Sequence, residues 1–160
     1  MGCTNRVHLF LYSPLCCKLY KKDLTWRVHM AILAGIFTRF KQQIETSDKN
    51  PDASLKTHYY KATFNQVFQS VEKLFHEDAD CQVTTVSKDH GEIAVEVRKP
   101  MSCFLIVTIV SVKPMETAID FSISAERFIL LGAYPSLKKR INAYYKKINS
   151  LHNLIGTKNG

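Results

Sequence analysis

CQVTTVSKDHGEIAVEVRKPMSCFLIVTIVSVKPMETAIDFSISAE, residues 81–126, is the stretch that decides the fold. It holds four strand-like runs separated only by short breakers. Residues 80–88 and 92–99 flank Asp89-His90-Gly91, a turn of the kind that closes a β-hairpin. Residues 103–113 and 117–126 flank Pro114-Met115-Glu116, a second breaker-rich connection. Connections this short join antiparallel neighbours, because a parallel crossover needs about a dozen residues or more. The spacing therefore predicts a four-stranded antiparallel meander.

The faces of these strands follow from alternation. Ile93, Val95 and Val97 oppose Glu96 and Arg98, while Ile119, Phe121 and Ile123 alternate with Asp120, Ser122 and Ser124. Both are half-buried patterns. Residues 104–112 are apolar on both sides, with Phe104, Ile106, Val110 and Val112 against Leu105, Val107 and Ile109. Such a strand must be covered twice. Ile106 is expected in the core with Phe121. Leu105, Val107 and Ile109 are then expected on a second sheet face, under an N-terminal helix, a partner subunit or an apolar ligand.

Outside this stretch the period lengthens. Thr63 is a plausible N-cap for a helix over 64–77, whose stripe is Phe64, Val67, Phe68, Val71, Leu74 and Phe75. Pro135 opens a last helix running to about residue 153, with Leu137, Ile141, Tyr144, Ile148 and Leu151 on its seam. KTHYYK, residues 56–61, reads as a short strand that could extend the sheet. Residues 31–45 place Leu33, Ile36, Phe37, Phe40 and Ile44 at helical spacing, opposite Arg39, Lys41, Gln42 and Gln43. Residues 46–54 read as a polar linker around Pro51. The expected architecture is α+β: a four-stranded antiparallel meander with helices 64–77 and 136–152 on one face, plus an N-terminal amphipathic helix. Residues 55–155 form its single domain.

Composition narrows the class. A chain of 160 residues, 46% hydrophobic and 22% charged, suits one globular domain with a genuine core. Its longest apolar run is far short of the roughly 20 residues of a membrane-spanning helix. Five cysteines without a CxxC pair argue against a disulfide framework and for a reducing, cytoplasmic setting. The formal charge of +8 invites an anionic partner. Residues 1–29 hold half of it, five Lys/Arg against Asp23, together with Cys3, Cys16, Cys17 and the only Trp. If Arg27 is encoded AGG, the message from Trp26 reads TGGAGG shortly before the ATG of Met30. That is a bacterial ribosome-binding sequence at a suitable spacing. Residues 1–29 are accordingly expected to be translated upstream DNA or a disordered extension, which lowers the charge to +4.

Motifs that carry chemistry are lacking: there is no GxxxxGK[ST], GxGxxG, HExxH or GxSxG. His76-Glu77-Asp78-Ala79-Asp80-Cys81 is the one metal-like run, with His58 or His90 as a distant further ligand. Consecutive residues at a helix end splay apart, so no metal and no cofactor is expected. Cys81 and Cys103 are the candidate nucleophiles, and an inert buried thiol is the default for Cys103. Glu96, Glu116, Asp120 and Glu126 give no reason for two carboxylates to converge. No catalytic residue is expected. Lys138, Lys139, Arg140, Lys146 and Lys147 with Tyr144 and Tyr145 resemble a single-strand nucleic-acid surface. Tyr144 falls on the apolar seam, so nucleic acid is not the favoured partner.

LKTHYYKATFNQVFQSVEKLF, VSKDHGEIAVEVRK, IVTIVSVKPMETAIDFSIS and SLKKRINAYYKKI resemble small cytosolic proteins of Bacillus-type bacteria, relatives of the family catalogued as domain of unknown function 1499. The resemblance spans residues 55–151 and implies the same element order and a cytoplasmic, bacterial protein. Residues 125–134 depart from the family's arginine- and serine-rich segment, so no site is implied.

Two functional expectations result. The first is a non-enzymatic binding or interaction domain using Leu105, Val107 and Ile109 for an apolar ligand or a homo-oligomer. The alternative is a peripheral membrane-surface protein, anchored by helix 31–45 through Phe37, Arg39, Phe40 and Lys41.

Overall fold

The computed structural model describes residues 41–127 and 132–157. They form an α+β domain in which two helices pack on a seven-stranded sheet. In chain order the elements are β1 (Gln43–Glu45), a 3-10 turn (Ala53–Leu55), β2 (His58–Tyr60), α1 (Phe64–Glu77), β3 (Cys81–Ser87), β4 (Glu92–Val97), β5 (Cys103–Lys113), β6 (Glu116–Ala125), α2 (Tyr134–Leu151) and β7 (Leu154–Gly156). The expected meander is the run β3-β4-β5-β6, and the sheet continues through β2 to β7, with β1 also on β6. Every pairing among the described residues is antiparallel.

The sheet is thus larger than the four strands expected. Residues 58–60 extend it as KTHYYK suggested, while β1 and β7 add two three-residue strands. β1 corrects the helix expected over 31–45: its last residues are a strand, with Ile44 opposite Ile123. Residues 31–40 lie outside the described residues. The expected linker 46–54 is not loose either. Thr46 is buried, its N–H donates to the Phe121 carbonyl at 2.8 Å, and Ser47 bonds the Leu55 carbonyl at 3.1 Å.

Local chemistry fixes both helix starts. Thr63 and Gln66 form a reciprocal capping box at α1, satisfying two of the N–H groups that a helix end orphans. Pro135 stands in the first turn of α2, where its missing N–H costs nothing. α1 lies over β3 and β5, and α2 over β1 and β6. One continuous core joins Val67, Phe68, Val71 and Phe75 of α1 to Leu137, Ile141 and Ile148 of α2 through the sheet residues between them.

Candidate functional site

Register decides which residues of β5 meet that core. Leu105 pairs with Ile123, Val107 with Phe121 and Ile109 with Ile119. These six side chains are at most 1% exposed. Leu105, Val107 and Ile109 therefore lie beneath the helices and are not the second face of the sheet. The expectation that placed a ligand surface on them is corrected. Ile106, expected in the core with Phe121, pairs with Ser122 on the opposite face and is half-buried.

The face turned away from the helices reads off in ranks across the strands. Gln82, Glu96, Phe104, Ser124 and Gln43 make the first. Thr85, Ala94, Ile106, Ser122 and Glu45 make the second, and Ser87, Glu92, Thr108 and Asp120 the third. Val110, Ala118 and Tyr59 close it. Down the middle runs an apolar row, Phe104, Ile106 and Val110, interrupted only by Thr108. Phe104 and Ile106 are half-buried and Val110 is 49% exposed. Val112 and Met115, at 40% and 53%, continue the exposed apolar surface to the hairpin end.

A polar cluster that no motif announced lies where β1, β2 and β6 meet α2. One oxygen of Asp120 accepts from Thr46 Oγ1 at 2.9 Å and Thr57 Oγ1 at 2.7 Å. Thr46 Oγ1 in turn accepts from the Phe121 N–H at 2.8 Å and the Tyr145 hydroxyl at 3.1 Å. His58 stacks on Tyr145 with ring centroids 3.7 Å apart, and its Nδ1 is 3.3 Å from Asn149 Oδ1, which also accepts from the Tyr60 hydroxyl at 2.7 Å. Burial drives the titrations here: it pushes the Asp120 carboxyl up, against its two hydroxyl bonds, and the His58 imidazole down. Tyr59, partly desolvated and donating to Asp48, is pushed up to about 12. The cluster satisfies buried polar groups and ties 46–57 to the sheet. Its sequence signal is slight: Thr46 lies in a segment that reads as linker, Thr57 in the short KTHYYK run and Asp120 among the polar positions of a half-buried strand.

The remaining sequence candidates stay apart. Cys81 Sγ is 3.4 Å from the Tyr144 hydroxyl, and burial raises the thiols of both Cys81 and Cys103, which disfavours the nucleophilic thiolate. Among the described residues no three His, Cys, Asp or Glu side chains converge as metal ligands. Phe37, Arg39 and Phe40 lie outside the described residues, and Lys41 is exposed just before β1. Tyr144 and Tyr145 are 4% and 2% exposed, so neither offers a stacking surface among the lysines of α2. Arg140 donates to the Lys99 carbonyl at 2.9 Å, Lys147 pairs with Asp78 at 2.9 Å, and Lys138 pairs with Asp52. No helix of the described residues is long and apolar enough to cross a membrane.

Among the described residues these features define an α+β domain with one sheet face covered by helices and the other, the open face, carrying no helix, although Tyr59 and Ala118 at its end are buried. No protein-family model and no curated protein matches the chain.

Proposed function

We propose that this protein is a non-enzymatic binding or interaction domain whose working surface is the open face of its sheet. The observation that carries the reading is the apolar row of β5, Phe104, Ile106 and Val110, standing among polar neighbours on the face away from α1 and α2. Apolar side chains on the solvent side of a half-covered sheet cost solubility, and contiguous ones mark interaction surfaces. The resemblance to domain of unknown function 1499 relatives and the cytoplasmic setting belong to the same proposal. So does the membrane alternative through Phe37, Arg39, Phe40 and Lys41, whose helix would have to end before Gln43, where β1 begins.

The test uses the full chain and a double variant, Ile106→Glu with Val110→Glu. Binding of an apolar reporter dye and self-association in the ultracentrifuge are both measured. Loss of either signal, with the thermal midpoint preserved, supports the open face as the binding surface. Dye binding and self-association unchanged in the variant would reject it.

A further inference from the structure

Charge is unevenly distributed over this chain. The whole carries +8, yet the strand positions of the open face include Glu45, Glu92, Glu96 and Asp120. None of these four makes an ion pair among the described residues. Four cations stand at the margin of this face among the described residues: Lys41 before β1 and Lys88 after β3, both exposed and in no ion pair there, and two that are bonded. Lys113, at the hairpin end, pairs with Glu116 at 2.8 Å, and Arg98, just past β4, bonds Gln82. Five further cations lie on α2, and Lys49, Lys56, Lys61, Lys73, Lys99 and Arg127 are spread over the rest of the described residues.

The carboxylates are placed with respect to the apolar row. Glu96 stands directly opposite Phe104 and Glu92 opposite Thr108, while Glu45 is reached from Ile106 through Ser122. Neighbouring strands are about 4.8 Å apart, so the acidic borders on β4 and β1 are separated by three steps, about 14 Å. A helix with its side chains is about 10–12 Å across. It fits between those borders with its apolar stripe on β5.

We infer that the open face receives a cationic amphipathic helix, apolar side chains on Phe104, Ile106 and Val110 and Lys or Arg side chains on Glu45, Glu92 and Glu96. This rests on the open face being the binding surface and adds the chemistry of the partner. Glu92 is exposed and Glu96 only half-buried, so these charges form a hydrated rim that sets orientation and selects against the wrong partner. An anionic lipid surface or a nucleic-acid backbone would meet like charge there.

The experiment is fluorescence anisotropy of the full chain with a labelled leucine–lysine amphipathic peptide. Parallel arms use leucine–glutamate and leucine–serine peptides of the same pattern, and phosphatidylglycerol vesicles. The leucine–lysine peptide is expected to bind best and to weaken with added salt. Glu92→Lys with Glu96→Lys should weaken it by about tenfold and reverse the sign of its salt dependence, because two attractive rim contacts become repulsive. Ile106→Asp should weaken all peptide binding, and Glu72→Lys with Glu77→Lys on α1 should change nothing; far-UV dichroism confirms the fold of each variant. If the leucine–serine peptide binds as well and charge reversal has no effect while Ile106→Asp abolishes binding, the open-face reading survives and the cationic partner is rejected. If no peptide binds, the cationic-helix partner is rejected and the open-face reading stands or falls on dye binding and self-association; if probes bind and Ile106→Asp leaves every one unaffected, both readings fall. Vesicle binding lost on Ile106→Asp would replace the helix by a lipid surface.

Discussion

Gly91 stands at φ +70°, in the left-handed region, and its N–H donates to the Lys88 carbonyl at 3.1 Å to close the β3–β4 turn. A Cβ added there would collide with the Ile109 carbonyl oxygen. Gly91→Ala should therefore cost on the order of 1–3 kcal/mol, since the strained backbone and the close approach add, and urea unfolding would show it. A loss of a few tenths would mean that the turn relaxes freely. His58 gives a second residue-scale prediction. Its folded pKa is depressed below 6.5, chiefly by burial, with the Asn149 bond and the Asp120 charge opposing. The unfolded chain thus takes up this proton first as pH falls. The stability that a neutral His58 contributes is present above about pH 6.5 and is lost as pH falls through the lower folded value. Between about pH 7.5 and 5.5 stability should decline, and His58→Gln should flatten part of that decline. His152, also depressed by burial, supplies the same sign. An identical pH slope in His58→Gln would show that the imidazole is not held neutral.

At the scale of the element, β5 separates what its two faces do. Phe121→Ala removes a ring that is 1% exposed and packed edge-on to Tyr145 at 4.8 Å, so a loss of about 3–5 kcal/mol is expected. Ile106→Ala trims a half-buried side chain of the open face and should cost about 1 kcal/mol or less. Equal losses in denaturant melts would contradict the register. The four-strand meander and both helices were legible because turn chemistry, alternation and capping agreed at Asp89-His90-Gly91, at 117–125 and at Thr63. The face of β5 was not, for a definite reason. A regular hairpin around Pro114-Met115 would set Ile106 opposite Ile123. A bulge between Ser111 and Lys113 shifts the pairing by one residue, so that Leu105 meets Ile123 and every β5 side chain changes face. A strand apolar on both sides carries no alternation to reveal the shift. β1 escaped because Ile44 also completes the helical series Leu33, Ile36, Phe37 and Phe40, and a three-residue strand has too few positions to establish its own period.

Over the whole molecule, the net charge of +8 by itself points to anionic partners, while the placement of the charges restricts what the structured cations can do. Of the basic residues on α2, Lys138 and Lys147 are paired and Arg140 holds the Lys99 carbonyl, so Lys139 and Lys146 remain as exposed cations of that helix without an ion pair among the described residues. The aromatic rings between them are buried, which removes base stacking and leaves phosphate neutralisation alone. Each phosphate neutralised on a single strand contributes about −0.7 to the slope of log K against log salt. Two lysines therefore account for about −1.4 of whatever slope the full chain shows with a single-stranded oligonucleotide. Lys139→Glu with Lys146→Glu should reduce the slope by about that amount, without altering preference among base compositions. A much larger change, or a base preference that the double variant abolishes, would show α2 to be a nucleic-acid-reading surface. With the ion pairs and buried rings as they stand, the small change is the expected result, and any remaining salt dependence would come from cations outside this helix.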